Sequence, residues 1–294
     1  MSMATPRHAA GSEVRADALE PDEADEFTAP GGRWRFRALV LTVQVVFIVV
    51  VVAAWQLSAR QGWVDRLFTS DPSDIVTKFW TALNAGGLWG ALGTTLYETL
   101  VGFAVAVALG TLTGVALYLS PVLRSAAQPF IAAANSLPRL ALAPLFVIWF
   151  GVGSMPHIIL VITVVYFIIV INTSAALQNC SRDHLLLAKT LGASKYQLFT
   201  KFMIPSAAPT LFAGYQLGMS YAFLSAVIAE IITGGSGLGA DISVYQTQYN
   251  TTYLFDDLIL MCIVASLLSG LMTLAERRVL AWRQLEFRGV EAVS

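Results

Sequence analysis

Apolar runs, each about long enough to cross a bilayer, recur along the whole chain, and they limit the folds open to it. A span needs about 20 mostly apolar residues to cross ~30 Å of hydrocarbon. Six runs qualify: residues 38–57, 96–119, 131–150, 158–176, 211–232 and 258–275. The first is rich in valine and uncharged; the third is interrupted by Pro138 and Pro144. Lipid offers no partner to a free N–H or C=O, so each run is expected to close its hydrogen bonds on itself as a helix. The predicted fold is therefore all-α, a polytopic membrane protein of about six transmembrane helices. Composition agrees, with 56% of the 294 residues hydrophobic and 13% charged, against about 25% charged in soluble domains. A net charge of −1 gives no bulk pull toward nucleic acid. Cys180 and Cys262 fit neither a disulfide framework nor a metal spacing.

Residues 1–32 are of different composition. They carry Glu13, Asp17, Glu20, Asp22, Glu23, Asp25 and Glu26 and few large apolar groups, so a disordered acidic tail is expected there. A membrane domain then occupies 33–294. The first apolar run is too long for a cleaved signal and is expected to act as an anchor. Basic residues set the orientation. With the N-terminus inside, the inner segments hold 14 of the 18 Lys and Arg; the outer ones hold Arg60, Arg66 and Lys78, and Arg139 falls in or beside the third run. Both termini are thus expected in the cytoplasm, together with the loop 177–210.

That loop contains the longest polar insert among the apolar runs, SRDHLLLAKTLGASKYQLFTKFMIP, from Ser181 to Pro205. It reads as two short helices joined at Gly192. Ser181 suits an N-cap and Asp183 a first turn. Leu185, Leu186, Leu187, Ala188 and Leu191 make an apolar face, and Lys189 lies near the end. Gly192 suits the left-handed position that closes a helix. Ser194 is placed to cap a second helix in which Leu198, Phe199 and Phe202 share a face, Lys195 and Lys201 point away, and Pro205 stops the run. A helix lying on anionic lipid and a docking knob for a partner both fit this pattern.

The insert resembles the coupling loop of the permease subunits of bacterial ATP-binding-cassette importers. Their motif runs Glu-Ala-Ala, three residues, Gly, nine residues, Ile-x-Leu-Pro. Here Leu186, Leu187 and Ala188 take the first three places, Gly192 the glycine, Phe202 the isoleucine, and Ile204 and Pro205 the final pair. PFIAAANSLPRLALAPLFVIWFGVG (129–153), INT (171–173, with Asn172), AE (229–230), GLG (237–239) and ERRVLAW (276–282) are similar to segments of the nitrate, sulfonate and taurine group. The resemblance covers roughly residues 70–285. It implies a permease working as one of two copies, with two ATPase subunits below and a substrate-binding protein above. ATP and Mg would sit on the ATPase and no cofactor on this chain, in a bacterial inner membrane. It implies ATPase coupling at Asp183, Leu185, Leu186, Ala188, Lys189, Gly192, Phe202, Ile204 and Pro205. A pathway or gate is implied at Asn135, Pro138, Arg139, Asn172, Glu230, Gly237 and Gly239. The implied cargo is a small anion, such as a sulfonate, or a vitamin precursor.

Two departures from the pattern bear on this. Leu186 replaces the motif's glutamate, leaving Asp183 to stand in or the grip to apolar burial by Leu185, Leu186 and Phe202. Asn135 stands where many of the group carry arginine, and Arg139 is its expected equivalent. Glu230 lies deep in its run, where an acid should face the bundle interior, and a pair with Arg139 is expected. Glu98 is expected nearer an interface and His157 in an outer loop, with Asp241, Asp256 and Asp257 among the outer-loop acids. GGSGLGA (234–240) matches a dinucleotide fingerprint in spacing only, since it follows an apolar run rather than a strand; a tight turn at the outer mouth is expected instead. No Walker lysine motif occurs, so energy would come from another polypeptide. The competing class is an ion-coupled carrier, which would call for internal repeats and acidic ion sites. A membrane-embedded enzyme would need a buried acid–histidine cluster, and the spacing along the chain suggests none.

Overall fold

The computed structural model describes residues 30–63, 65–180 and 182–281, and all its regular elements are helical. Helix α1 spans Pro30–Arg60. The chain divides into two units at Ser58–Ala59, and α1 to Ser58 is a unit by itself. Its apolar stretch from Ala38 is long enough to cross a membrane. Residues 1–29, which hold nearly all of the expected acidic tail, lie outside the described residues; 30–32 already belong to α1.

The second unit begins with a single turn at Arg66–Thr69 and α2, Pro72–Ala85. Asp71 caps α2 by accepting from the Asp74 N–H at 3.1 Å, and Pro72 sits where its missing N–H costs nothing. Then come α3 (Gly87–Leu119), α4 (Pro121–Ser136), α5 (Ala143–Phe150), α6 (Ser154–Gln178), α7 (Arg182–Thr190), α8 (Lys195–Thr233), α9 (Leu238–Thr247) and α10 (Thr251–Val279). Among the described residues five helices can cross a membrane, or six if the bent pair α4 and α5 counts as one span.

The third expected span is therefore not one helix. α4 and the segment from Arg139 to Phe150 meet at 77°. Leu137 is extended because Pro138 follows and its ring excludes the helical conformation there. A 3-10 turn, Arg139–Leu142, leads into α5. Pro144 breaks nothing, because it lies in the first turn of α5, where no hydrogen bond is lost. The fifth span also differs from expectation. Pro205 does not stop the elbow's second helix, which runs on through a π-helical stretch, Leu198–Met203, into the membrane as α8. The wider π turn immediately before Pro205 meets a residue with no N–H to place and keeps the helix continuous.

The centre of the second unit is α3, α6 and α8. Lipid gives helices no hydrophobic reason to associate, so close van der Waals packing must hold them. Gly102, Ala106, Gly110 and Gly114 put a stripe of small residues along α3, one per turn, against α6. A Cβ built on Gly110 would lie 2.8 Å from Ile169 Cβ, and one on Gly114 2.6 Å from Thr173 Cβ. On α8, Gly214 meets Asn172 and Gly218 meets Ile169. These glycines are thus used for packing within the chain. Ala106, Val161, Val165, Ile169, Ala222 and Ala226 fill the seam. α5 covers one side, where its Phe146 clusters with Leu160 of α6, and α9, α10 and α2 cover the other.

Candidate functional site

The elbow is built from two interlocking caps. Gly192, at φ +80°, donates to Lys189 O at 3.0 Å, and Ala193 donates to Ala188 O at 3.0 Å, the paired bonds of a Schellman end. Two residues on, Gln197 N–H donates to Ser194 Oγ at 3.2 Å and Ser194 N–H to Gln197 Oε1 at 2.9 Å, a reciprocal capping box. The turn between α7 and α8 is therefore held at both ends by hydrogen bonds. Ser181 and the side chains of Asp183 and Leu187 lie outside the described residues.

The two faces of the elbow are sorted. Ala188 is buried, and Leu185 and Phe199 pack on Ala176, Leu177, Cys180, Met203 and Ala207. Leu186 is 68% exposed, Ile204 42% and Phe202 39%; Lys189 and Gly192 are also exposed, and Pro205 is half-buried. Leu185 thus faces the bundle, while Leu186 and Phe202 face outward. Phe199 and Phe202 do not share a face as the α-periodicity suggested. A π turn takes more residues per revolution, so Met203 rather than Phe202 follows Phe199 into the bundle.

At its far end α8 carries Glu230, fully buried. Its Oε2 accepts from Gly239 N–H at 2.7 Å and from Thr95 Oγ1 at 3.1 Å. Thr95 Oγ1 also accepts from Leu238 N–H at 3.0 Å. The glycine segment after Thr233 wraps this carboxyl so closely that a Cβ on Gly237 would run into it. Glu98, on α3, lies near enough to act on Glu230 electrostatically. It is fully buried rather than interfacial, and both its oxygens stand 3.0 Å from His157 Nδ1. His157 is not in a loop: it occupies the first turn of α6, 2% exposed, with Nε2 2.6 Å from Thr233 Oγ1. Sequence reasoning missed Thr95, Glu98, His157 and Thr233 as partners. The available signal was an acid inside an apolar run; its partner lies 59 positions away, out of reach of any spacing argument. Asp256 and Asp257 are likewise not loop acids. They are buried early in α10, and none of their carboxyl oxygens has a hydrogen-bond partner among the described residues.

Arg139 and Glu230 do not pair. Arg139 donates from Nε and Nη2 to Ala134 O at 3.2 and 3.1 Å, from Nη1 to Val164 O at 3.1 Å, and from Nη2 to Asn135 Oδ1 at 2.8 Å. Its guanidinium also lies over the Phe167 ring, 4.6 Å from the centroid. The break at Pro138 leaves carbonyls at the end of α4 without helical donors, and the guanidinium fork supplies them. Arg139 therefore braces the broken helix against α6. With Asn135, Tyr221, Leu224 and Ser225 it lines an open cavity of about 340 Å³. Ser225 Oγ is buried there with no hydrogen-bond partner among the described residues. Of the seven gate positions read from the sequence, Asn135 and Arg139 lie at this cavity beside the break at Pro138. Glu230, Gly237 and Gly239 form the separate buried cluster. Asn172 packs on Gly214 and donates to Ile168 O at 2.8 Å.

A helical bundle of several spans, one of them broken, with a capped elbow running straight into a through-helix, defines the class: a polytopic membrane transport subunit. Residues 106–282 match the family described as binding-protein-dependent transport system inner membrane component, and the chain belongs to it. It is thus an importer permease of the ABC-transporter kind. The riboflavin transport system permease protein of Chloroflexus aurantiacus is 30% identical over 250 residues, 85% of this chain and 92% of that one. The taurine transport system permease protein of Escherichia coli is 27% identical over 261 residues, 85% and 93% of the two chains. The solved inward-facing MetNI methionine ABC transporter aligns with a TM-score of 0.58 at 21% identity, over 67% of this chain and 96% of that one, which speaks to the fold alone.

Proposed function

We propose that the chain is a transmembrane subunit of an ATP-driven importer, and that α8 is its transmission lever. The observation that carries this is continuity. One helix of 39 residues, about 58 Å long at 1.5 Å per residue, joins the capped elbow to the Glu230–glycine cluster. A movement imposed on the elbow is passed to the far end without an intervening loop. Two copies would flank a central path, with two ATPase subunits gripping the elbows in the cytoplasm and a binding protein delivering solute on the opposite side. Both termini would be cytoplasmic. ATP and Mg would be held by the ATPase and not by this chain. A partner can drive such a change only through contacts that differ between two states. The exposed Leu186, Phe202 and Ile204, with Lys189 beside them, are the contacts proposed to differ. The relatives' names, riboflavin and taurine, support a small organic anion or a vitamin-like solute as cargo.

The alternative, an ion-coupled carrier, draws support from the buried Glu98–His157–Glu230 cluster, since pumps and transporters use Asp, Glu and His chains as proton relays. Family membership weighs against it. Uptake by the permease in proteoliposomes with and without its ATPase distinguishes the two: uptake without ATPase and ATP would refute the importer reading.

The grip is tested at Leu186 and Phe202. Fully burying such a side chain contributes about 1.5–3 kcal/mol. Phe202 and Leu186 have 39% and 68% of their surface left to bury. Phe202→Ala is therefore expected to weaken ATPase binding about threefold to sevenfold. Leu186→Glu, which also puts a charge into the seat, should weaken it at least about tenfold. The permease's own melting temperature should stay put in Leu186→Glu, whose side chain is 68% exposed, and fall slightly in Phe202→Ala, whose ring is 39% exposed. Equal or tighter ATPase binding by Leu186→Glu would show that the partner retains a seat for an acid, and the apolar grip would be wrong.

A further inference from the structure

We infer that the cavity at the break beside Pro138 binds an organic anion, an oxyanion head such as a carboxylate or sulfonate on an apolar body, and that Ser225 is the contact that selects the head. On the importer reading above, it is a station for cargo within the permease itself. The break supplies Asn135 and Arg139 to the lining, and α8 supplies Tyr221 and Ser225, one helical turn apart. The other six lining residues are leucine, valine or isoleucine, contributed by the break, α6 and α8. At about 340 Å³ the cavity is near the lower end of the roughly 300–1,000 Å³ of small-molecule sites, which share this character of apolar walls and a few placed polar groups.

The head is set by what the polar groups have left to give. Arg139 has five N–H groups and no acceptor. Four are spent on Ala134 O, Val164 O and Asn135 Oδ1, leaving one on Nη1. Those partners are neutral, as is the Phe167 ring under the guanidinium, so none balances its positive charge. Asn135 gives Oδ1 to Arg139, which leaves its Nδ2 to donate. Ser225 is 1% exposed, and its Oγ has a hydrogen to give and no hydrogen-bond partner among the described residues. None of the lining residues is an acid. Donors and an unbalanced positive charge in an apolar setting are the complement of an oxyanion. A lipid acyl chain in this place would leave both the charge and the hydroxyl unmet. A bare inorganic oxyanion would meet them but leave the aliphatic walls uncovered. Packing within the chain leaves the site accessible: α4 buries none of its residues, and Leu217, Tyr221 and Leu224 are exposed.

The test needs neither ATPase nor transport, so its failure is separate from failure of the importer reading. The full-length permease in nanodiscs of zwitterionic lipid is titrated with 4-fluorobenzenesulfonate, and binding is followed by ¹⁹F NMR. Benzoate, hexanesulfonate, inorganic sulfate and the neutral benzenesulfonamide are then added as competitors. Benzoate and hexanesulfonate are expected to displace the probe; sulfate, lacking the body, and the sulfonamide, lacking the charge, should each do so at least about tenfold less well. Ser225→Ala is expected to weaken the probe at least about tenfold, the loss of one hydrogen bond to a charged head. Its melting temperature should equal or exceed the parent's, because a methyl replaces a buried hydroxyl that has no protein partner. That split between binding and stability is what a merely structural serine would not give. Ser266→Ala, on α10 with its hydroxyl turned back to Cys262 O, should bind as the parent does. Three results each overturn the proposal. One is probe binding weaker than about 10 mM, as when lipid or a second copy of the chain fills the cavity. Another is displacement by sulfate as good as that by hexanesulfonate. The third is parental affinity in Ser225→Ala.

Discussion

Gly237→Ala puts the buried carboxyl cluster under direct load. Gly237 has φ +127° and ψ 167°, a region almost reserved for glycine, and forcing alanine into it costs about 1–3 kcal/mol. The new methyl would also occupy the place of the Glu230 carboxyl. Moving that carboxyl breaks its 2.7 Å bond from Gly239 N–H and its 3.1 Å bond from Thr95, about 1–3 kcal/mol more for groups left buried and unpaired. The total is about 2–6 kcal/mol. Gly86→Ala is the comparison, because Gly86 also has positive φ, at +82°, but a Cβ there meets nothing within 4 Å. It should cost about 1 kcal/mol. In thermal melts of the purified permease, at about 2–4 °C per kcal/mol, the two variants should separate by several degrees. A cycle with Glu230→Ala isolates the contact. Removing the carboxyl should rescue part of the Gly237→Ala loss, with a coupling of about 2 kcal/mol. Equal losses for Gly86→Ala and Gly237→Ala, or no coupling to Glu230, would refute the reasoning.

Two further variants probe the scaffold. Gly110→Ala, which drives a methyl between Ile169 and the Tyr166 carbonyl, should destabilise the bundle by about 1–3 kcal/mol. Gly93→Ala, in the same helix with open space around it, should be neutral or slightly stabilising; identical melts for the two would contradict the close α3–α6 packing. Arg139→Lys keeps the charge but loses the fork that braces Ala134, Asn135 and Val164, and should lower stability by about 2–3 kcal/mol. If Lys at 139 melts and transports as the parent does, positive charge at the cavity rather than bracing is what matters there.

Much of this was legible in the chain. The helical class, the span count to within the bent pair, the Gly192 turn and the Ser194 cap all follow from local rules. Run length, positive φ at glycine and an oxygen three residues before an N–H are short-range properties. Gly110 and Gly114, and Gly214 and Gly218, stand four apart within apolar runs, a spacing that allows close helix approach but does not say against what. Pro138 and Pro144 look alike in the sequence, yet one stands where the chain bends by 77° and the other starts a helix. The difference is whether the position calls for a hydrogen bond. Pro205 is a similar case, following a π-helical stretch inside a continuous helix.

Local rules set which segments are long and apolar enough to cross a membrane and where the elbow turns, because both rest on interactions within a few residues. Which polar groups meet is settled by packing between distant helices. Glu98, His157 and Glu230 come from three helices separated by long stretches of chain, and no periodicity relates them. Only the glycine-stripe contact of α3 with α6, and of both with α8, brings them within 3 Å of their partners. Packing then leaves each side chain to find its hydrogen bonds among its neighbours. That is why Arg139 turned to the carbonyls of its own broken helix and Glu230 to the glycine backbone, rather than to each other.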